Sequence, residues 1–433
     1  MKLNQMFLDR MKDILGDKFQ DFLVSLDEPI VKSIYVNENK ISVERFKEIV
    51  DFEISQIPYE KAGFYVDNEK KGRHPLHHAG AFYMQEPSAM FTINAIKFRG
   101  DERVLDMCAA PGGKSIQIAN RIPNGVLVSN EIVQSRSQIL YSNIERMGFK
   151  NVIIANDTPE NIGEAYGDSF DVCVVDAPCS GEGMFRRGEE VSAQWNENLD
   201  EMCAIRQLDI LSHADKTLKK GGKLIYSTCT YSVKENEDVF RQFMKTYDYE
   251  LLQISHPFSK GVDMPQAARL YPHENKGEGQ FVAVLMKKSE NNNSSYTGQK
   301  LTNSKMTNDF MKEYTNLKSN FVEYKNYSYL TPCQDLIKKH INYVSIGVRL
   351  GRVENNRFEP HHNLFSALGK EFKLKYELDF KNEKVGKYLR GETFEVDLRD
   401  GFGAFIVDGC PLGGFKMSKS KFKNYYPKGL RNF

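Results

Sequence analysis

The sequence predicts an α/β protein built around a doubly wound parallel sheet, with a smaller β-containing unit behind it. Three observations carry this reading. From about Val104 to Lys288 short apolar runs alternate with amphipathic helical stretches, the pattern of a parallel sheet covered on both faces. The first run ends in a glycine turn that opens a helix, Val104-Leu-Asp-Met-Cys-Ala-Ala-Pro-Gly-Gly-Lys-Ser115. A polar stretch from Ser289, Ser-Glu-Asn-Asn-Asn-Ser-Ser-Tyr-Thr-Gly-Gln-Lys, then breaks the apolar rhythm, and short strand-like runs between glycines follow it.

Taken in order, Phe7, Met11, Ile14, Leu15, Phe19, Phe22 and Leu23 stand at helical spacing and predict an amphipathic helix over residues 7 to 23. The strands expected in the central region are Arg103 to Met107, Gly125 to Glu131, Asn151 to Asp157, Phe170 to Asp176, Lys223 to Cys229 and Gln280 to Met286. A helix from Ile205 to Leu218 is expected to bury Ile205, Leu208, Leu211 and Leu218 and to stop at Gly221-Gly222. Thr393 to Leu398 and Gly403 to Val407 read as strands of the smaller unit. A chain of 433 residues exceeds one ordinary core, so more than one domain is expected. The divisions fall at 1–75, 76–288, a linker at 289–309, and 310–433 with a small domain from about 380.

A hydrophobic content of 40% and a charged content of 27% describe a globular protein. Its 59 basic and 58 acidic residues nearly cancel, so attraction for nucleic acid has to come from a local patch. No apolar run approaches the roughly 20 residues of a membrane span. The charged opening lacks the apolar region of a signal peptide, and a cytoplasmic location is expected. Seven cysteines, at 108, 173, 179, 203, 229, 333 and 410, are an odd number without regular spacing, which argues against a disulfide framework. No Cys-x-x-Cys pair and no Cys/His cluster with zinc spacing occurs, so no metal is expected.

The turn at Gly112-Gly113 lets backbone approach a ligand at the carboxyl edge of the sheet, where doubly wound folds bind nucleotides. A P-loop needs glycine where Cys108 stands, and the third glycine of a dinucleotide fingerprint is missing. A smaller nucleoside ligand remains. Glu131 ends the second strand, 25 residues beyond Asp106, where an acid typically accepts from ribose hydroxyls. Asp157 closes the third strand and Asp176 the fourth, so four acids share one edge and tolerate a cationic ligand. S-adenosylmethionine, with its ribose, adenine and sulfonium, fits that cleft.

Asp176-Ala-Pro-Cys-Ser-Gly-Glu-Gly-Met184 follows the fourth strand, and Tyr226-Ser-Thr-Cys-Thr-Tyr-Ser232 ends the fifth. Neighbouring strands would set Cys179 and Cys229 facing each other beside the methyl donor. Pro178 cannot continue a central ladder, so Cys179 belongs to a turn. Carbon 5 of cytosine is a poor nucleophile; a thiolate adding to carbon 6 makes carbon 5 nucleophilic, after which a base removes the carbon-5 proton and the thiol leaves. An unperturbed thiol is little ionised at neutral pH, so Lys114 or the cleft's potential has to assist. Asp176 is placed to hydrogen-bond the cytosine edge. Ser180, Ser227 and Thr228 lack a His/Asp partner, which leaves a hydrolase triad without support.

Cys108-Ala-Ala-Pro-Gly-Gly-Lys114, Asp176-Ala-Pro-Cys-Ser-Gly-Glu-Gly183 and Tyr226-Ser-Thr-Cys-Thr-Tyr231 together resemble the Sun/Fmu family of RNA cytosine-5 methyltransferases. Asp408-Gly-Cys-Pro-Leu-Gly-Gly and Lys423-Asn-Tyr-Tyr-Pro-Lys-Gly-Leu-Arg431 resemble its RsmF branch, which modifies small-subunit ribosomal RNA. The resemblance implies a Rossmann-like class I methyltransferase with an RNA-contacting N-terminal extension and a C-terminal PUA-like domain. It implies that Cys108, Ala109, Ala110, Pro111, Gly112, Gly113 and Lys114 wrap S-adenosylmethionine, with Glu131 on the ribose, Asp157 near the adenine and Asp176 between donor and base. It makes Cys229 the nucleophile and Cys179 the residue that assists product release. Residues alone leave that order open, because DNA cytosine-5 methyltransferases take their nucleophile from a Pro-Cys motif placed like Pro178-Cys179.

From Gly409 onward no acidic residue occurs, and Lys416, Lys419, Lys421, Lys423, Lys428 and Arg431 interleave with Phe415, Phe422, Tyr425 and Tyr426. That mixture suits phosphates and base stacking, or else a solvated tail with core aromatics. Lys70-Lys-Gly-Arg-His-Pro-Leu-His-His78 is a second candidate contact, and Gln85-Glu-Pro-Ser88 reads as structural. The expected partner of this monomer is RNA, ribosomal before transfer RNA. A non-catalytic assembly factor is the alternative from another class, and the retained Cys229, Cys179, Asp176 and Lys114 argue against it.

Overall fold

The computed structural model describes residues 3–67, 71–188, 195–291 and 296–431. Near the amino terminus the helices Gln5–Leu15 and Phe19–Asp27 replace the one expected over 7 to 23, because Gly16, at φ 53°, breaks the run. Strands β1 (Lys32–Val36), β2 (Ile54–Gln56), β3 (Gly63–Val66) and β4 (Phe82–Met84) follow as an antiparallel sheet in the order β2-β3-β1-β4. Since β4 pairs with β1, this first unit extends past the division expected at residue 75.

The central sheet contains β5 (Arg103–Asp106), β6 (Val126–Asn130), β7 (Val152–Ala155), β8 (Phe170–Asp176), β9 (Leu218–Thr228), β10 (Tyr249–Leu252), β11 (Ser259–Gly261), β12 (Met264–Leu270) and β13 (Gln280–Lys287). The order runs β11-β12-β13-β9-β8-β5-β6-β7, with β10 beside β13. From β7 to β9 neighbours are parallel, and β13 joins β9 antiparallel. Leu105, Val128, Ile153 and Val174 are fully buried, the two-sided burial that makes central parallel strands read as nearly continuous apolar runs. The chain moves from β5 outward through β6 and β7, then returns to the other side of β5 for β8 and β9. A crevice therefore opens at the carboxyl ends of β5 and β8, where the winding reverses.

The helix expected over 205 to 218 runs Glu197–Thr217, and Gly221-Gly222 lie inside β9. Its buried face is Cys203, Gln207, Ile210, Leu211 and Ala214, which leaves Ile205 70% exposed. Leu211 and Leu218 are nonetheless fully buried and Leu208 packs half-buried on the core, so the expected stripe departs at Ile205 alone. Among the described residues no helix is long and apolar enough to cross a membrane.

Past the central sheet come β14 (Val322–Tyr324), β15 (Tyr327–Leu330), β16 (Tyr343–Ser345), β17 (Val348–Glu354) and β18 (Arg357–Pro360), then β19 (Lys375–Leu378), β20 (Gly401–Val407), β21 (Cys410–Ser418) and β22 (Lys421–Asn424). β14, β15, β17 and β18 form one sheet, and β19 to β22 form the last. β16 instead adds to the central sheet at β7, and the hydroxyls of Tyr166 and Tyr343 meet at 2.6 Å beneath it. The stretch expected as a linker is anchored: Gly298 bridges Lys338, Thr302 bridges Glu323, and the helix Lys305–Tyr314 begins within it. Residues 292–295 of that stretch lie outside the described set. Thr393 to Leu398 form no strand, and the last sheet starts at Lys375, before the expected 380, because β19 pairs in parallel with β20.

Candidate active site

β5 ends at Asp106, and the chain turns through Cys108 to Gly112 before the helix Gly113–Arg121. Gly112 has φ 115°, and a Cβ there would stand 3.0 Å from Leu140 Cδ1, so both conformation and space select glycine. The turn is held from the helix Gln134–Met147: Arg136 donates to the Ala110 carbonyl at 2.8 Å and Asn143 to that of Pro111 at 2.9 Å. Asp106 is fully buried and accepts from the Ser115 hydroxyl at 2.6 Å through Oδ2. Burial pushes its carboxyl up to about 7. Across the switch point, Asp176 accepts from Lys114 Nζ at 2.7 Å and from the Ser227 hydroxyl at 2.6 Å. Lys114 is thereby committed to Asp176, where the sequence expected it beside a thiol.

A cavity of about 300 Å³ opens here, lined by Gln85, Asp106, the turn from Cys108 to Pro111, Gly113, Lys114, Asp176, Met184, Arg187, Cys229 and Glu278 among others. Glu131 and Asp157 stand on the same sheet edge outside this lining. Glu131 is 2% exposed, accepts from the Val133 amide at 2.9 Å and lies 3.6 Å from Arg136. The Asp157 carboxylate accepts from the Asn342 amide at 3.0 Å and from Asn161 at 2.6 Å.

Cys179 and Cys229 do meet: their sulfurs are 3.3 Å apart, and both thiols are free. Two carboxylates that sequence reasoning passed over brace the loops that carry them. Glu182, three residues after Cys179, accepts from the Tyr231 amide at 3.1 Å in the Cys229 loop. Glu235, beyond Cys229, accepts from the Ser180 amide at 3.0 Å and from Gln207, whose amide also donates to the Pro178 carbonyl. The Gly183 amide adds a bond to the Cys229 carbonyl at 2.9 Å. Glu182 also pairs with Arg10 of the first helix, and Arg10 reaches Asp200 at 2.8 Å. Around this network Phe7 and Phe22 pack edge-on against Phe185 and Tyr231. The contact with Cys229, then burial, holds the Cys179 thiol well above its ordinary range, so Cys179 keeps its proton. Burial likewise raises Glu235 to about 7. Glu182 lay within a quoted motif, whereas nothing in Lys234-Glu-Asn236 marks a brace.

The remaining candidates divide by burial. Sequence context suits Cys173, Cys203, Cys333 and Cys410 to ordinary packing; the first two and Cys410 are buried, and Cys333 is half-buried. In β21 and β22 the strand alternation turns Phe415 and Phe422 into the core and leaves Lys421 and Lys423 exposed; Tyr426 is also buried. Base stacking by these three rings is thus ruled out, and the charges remain for phosphates. Lys70 lies outside the described residues; of the rest of its segment, Arg73 is exposed, while Lys71 sits 4.5 Å over the Phe52 ring and His78 meets the Tyr426 hydroxyl at 3.1 Å. Burial keeps His78 neutral by lowering it to about 4. No group of three or more metal-ligating side chains occurs among the described residues.

Known families match the chain along most of its length. The family described as 16S rRNA methyltransferase RsmB/F matches residues 93–286, the N-terminal domain of 16S rRNA methyltransferase RsmF matches 3–87, and the methyltransferase RsmF PUA domain matches 375–432. Ribosomal RNA small subunit methyltransferase F of Klebsiella pneumoniae is 30% identical over 95% of this chain and 92% of its own. The chain belongs to the RsmF methyltransferase family. The Vibrio campbellii member is 29% identical, with coverage of 98% of this chain and 96% of its own. A solved methyltransferase homologue from Pyrococcus horikoshii shares the RsmB/F fold, with a TM-score of 0.59 and 28% identity across 66% of this chain and 95% of its own. Use of S-adenosylmethionine follows from membership of a methyltransferase family, and two features of the cavity fit such a ligand. Gly113 lines it without a side chain, where a Cβ would stand 3.3 Å from the Gln85 and Tyr83 side chains, and the buried oxygens Asp106 Oδ1 and Gln85 Oε1 have no partner within the chain.

Proposed function

We propose that this RsmF-family enzyme methylates carbon 5 of a cytosine in small-subunit ribosomal RNA through a covalent bond between Cys229 and carbon 6 of the base. The observation that carries the reading is the pair of thiols 3.3 Å apart at the switch point, beside the Lys114–Asp176 pair. When bound, S-adenosylmethionine supplies an electrophilic methyl group on a sulfonium. Cys229 Sγ, as thiolate, forms the bond to carbon 6, and the electrons of the 5,6 double bond make carbon 5 the nucleophile. Asp176, oriented by Lys114 and Ser227, holds the base at its ring nitrogen and exocyclic edge. After methylation a base removes the carbon-5 proton, the electron pair re-forms the double bond, and the sulfur–carbon bond to Cys229 breaks. Cys179 Sγ, 3.3 Å away, is within reach to deliver a proton to the departing Cys229 sulfur, the division of roles that the family resemblance implies.

The glycine turn from Cys108 to Gly113 and Lys114 surround the donor, with Glu131 on the ribose side and Asp157 further along the edge. The base has to leave its helix to reach this cleft, so an exposed loop or a partly assembled particle lowers the requirement. Exposed lysines such as Lys421 and Lys423, and the N-terminal unit, contact the RNA backbone. Bisulfite sequencing of ribosomal RNA from cells lacking the protein tests the assignment. One small-subunit cytosine should lose its 5-methyl group, and unchanged methylation would sink the ribosomal substrate.

A further inference from the structure

The placement that lets Cys179 and Cys229 act in turn on a base also lets them react with each other. Their sulfurs are 3.3 Å apart, and both residues are half-buried, whereas Cys173, Cys203 and Cys410 are sealed in the core. Cys229 lines the cavity of about 300 Å³, so a small solute that enters the cleft reaches it.

The segments bearing the sulfurs are laced together on both sides of them. β8 and β9 pair in parallel as far as Asp176 and Ser227, and the Ala177 amide donates to the Ser227 carbonyl at 2.9 Å. Beyond the sulfurs the Ser180 and Thr230 hydroxyls meet at 2.8 Å, and the Gly183 amide donates to the Cys229 carbonyl at 2.9 Å. Paired chain segments lie about 5 Å apart, within the roughly 4.4 to 6.8 Å between Cα atoms that a disulfide spans. Bringing the sulfurs to the ~2 Å of an S–S bond therefore asks for side-chain rotation, with the lacing left in place.

We propose that the pair is also an oxidative modification site: a peroxide entering the cleft converts Cys179 and Cys229 to a disulfide, which a small thiol reverses, so that methyl transfer stops while the oxidant lasts. The bridge rests on the geometry; its silencing of the enzyme rests on the reading of Cys229 as the attacking group. The steps balance with the peroxide as sole oxidant. Cys229 Sγ, as thiolate, attacks a peroxide oxygen; an S–O bond forms, the O–O bond breaks, and hydroxide leaves with the electron pair and takes a proton from solvent. Cys179 Sγ then gives up its proton and attacks the sulfur of this sulfenic acid; the S–S bond forms, the S–O bond breaks, and the oxygen departs as water. Two electrons pass from the thiols to the peroxide. The raised Cys179 thiol suits the second position, since it keeps its proton until Cys229 has been oxidised. Lacking such a neighbour, a sulfenic acid goes on to the sulfinic acid, which small thiols do not reduce. Cys179 thus shields Cys229 from permanent loss.

The test exposes the full chain to hydrogen peroxide, blocks the remaining thiols with N-ethylmaleimide, and maps the cysteine peptides by mass without reduction. The unaltered chain should yield a cross-linked peptide joining Cys179 to Cys229, and methyl transfer to RNA should fall about tenfold or more and return with dithiothreitol. In Cys179→Ser, Cys229 should gain two oxygens that dithiothreitol does not remove. Cys229→Ser should leave Cys179 open to maleimide after the same exposure, and serves if the first variant fails to fold. Sulfinic acid at Cys229 of the unaltered chain, a bridge to Cys108, or two thiols still open to maleimide would overturn the proposal. A bridged chain that methylates undiminished would overturn the switch and the nucleophile reading together. A chain inactive before any peroxide would count against that reading alone, because the peptide map still decides the bridge.

Discussion

The two ends of the cleft solve opposite problems. At the thiol end the chain supplies the partners itself: Glu182 takes an amide from the Cys229 loop, and Glu235 takes one from the Cys179 loop. At the donor end, buried Asp106 and Gln85 each keep an oxygen that nothing in the chain satisfies. Orphaned atoms such as Gln207 Oε1 and Asp200 Oδ1 occur near the thiols too, but there the sulfur-bearing loops are cross-braced, whereas the donor-end orphans belong to residues that line the cavity. On the proposed mechanism, two sulfurs acting in sequence need a set separation, whereas a cofactor that enters and leaves at every turnover needs groups kept waiting for it.

Breaking the thiol end should have the largest effect. Cys229→Ala is expected to lower methylation about a thousandfold or more and to abolish covalent RNA complexes on denaturing gels. Cys179→Ala should instead accumulate such a complex, since addition proceeds and elimination stalls; the opposite pattern would exchange the two roles. At the boundary between the ends, Asp176→Asn should reduce kcat about a hundredfold and leave cofactor affinity less affected, read from single-turnover rates and calorimetry.

The bracing itself yields smaller effects. Arg10→Ala leaves Glu182 and Asp200 buried beside each other without their cation, and a loss of about 2 kcal/mol is expected in denaturant unfolding. Burial holds Glu235 at about 7 against an ordinary 4.5, so the folded chain keeps a proton that the unfolded chain releases between those values. That contribution to stability is complete below pH 4.5 and is lost as pH rises through 7. Glu235→Gln, which mimics the protonated acid, should therefore flatten the fall of Tm across this window; an unaltered profile would contradict the assignment. Smallest of all, the double change Lys421→Glu and Lys423→Glu should weaken RNA binding with little change in kcat. It should also lower the salt slope by about one unit for each lysine that meets a phosphate.

Much of this architecture was legible because apolar periodicity and glycine turns report local requirements. The strands β5, β6, β7, β8 and β13 begin within one residue of their expected starts, and the parallel order brings Cys179 to Cys229 as expected. What escaped were properties set by distant chain. On the helix Glu197–Thr217 Leu208 and Leu211 pack as spacing suggested, but Ile205 faces solvent because no neighbouring element among the described residues covers it. Lys114 pairs with Asp176, and Phe415, Phe422 and Tyr426 turn inward, both decided by neighbours remote in sequence. Glu182 and Glu235 are ordinary polar residues on paper. Their roles arise from backbone amides 49 and 55 residues away.

β16 carries a consequence for how the molecule survives at high concentration. By pairing with β7 it caps what would otherwise be an open margin of the central sheet, and the Asn342 amide beside it is taken by Asp157. An enzyme shortened to end near residue 291 would bare that row of amides and carbonyls as a template for strands of other copies. On this reading the region beyond the central sheet is a selvedge that keeps the catalytic layer from fraying, as well as the carrier of the lysines proposed to meet RNA.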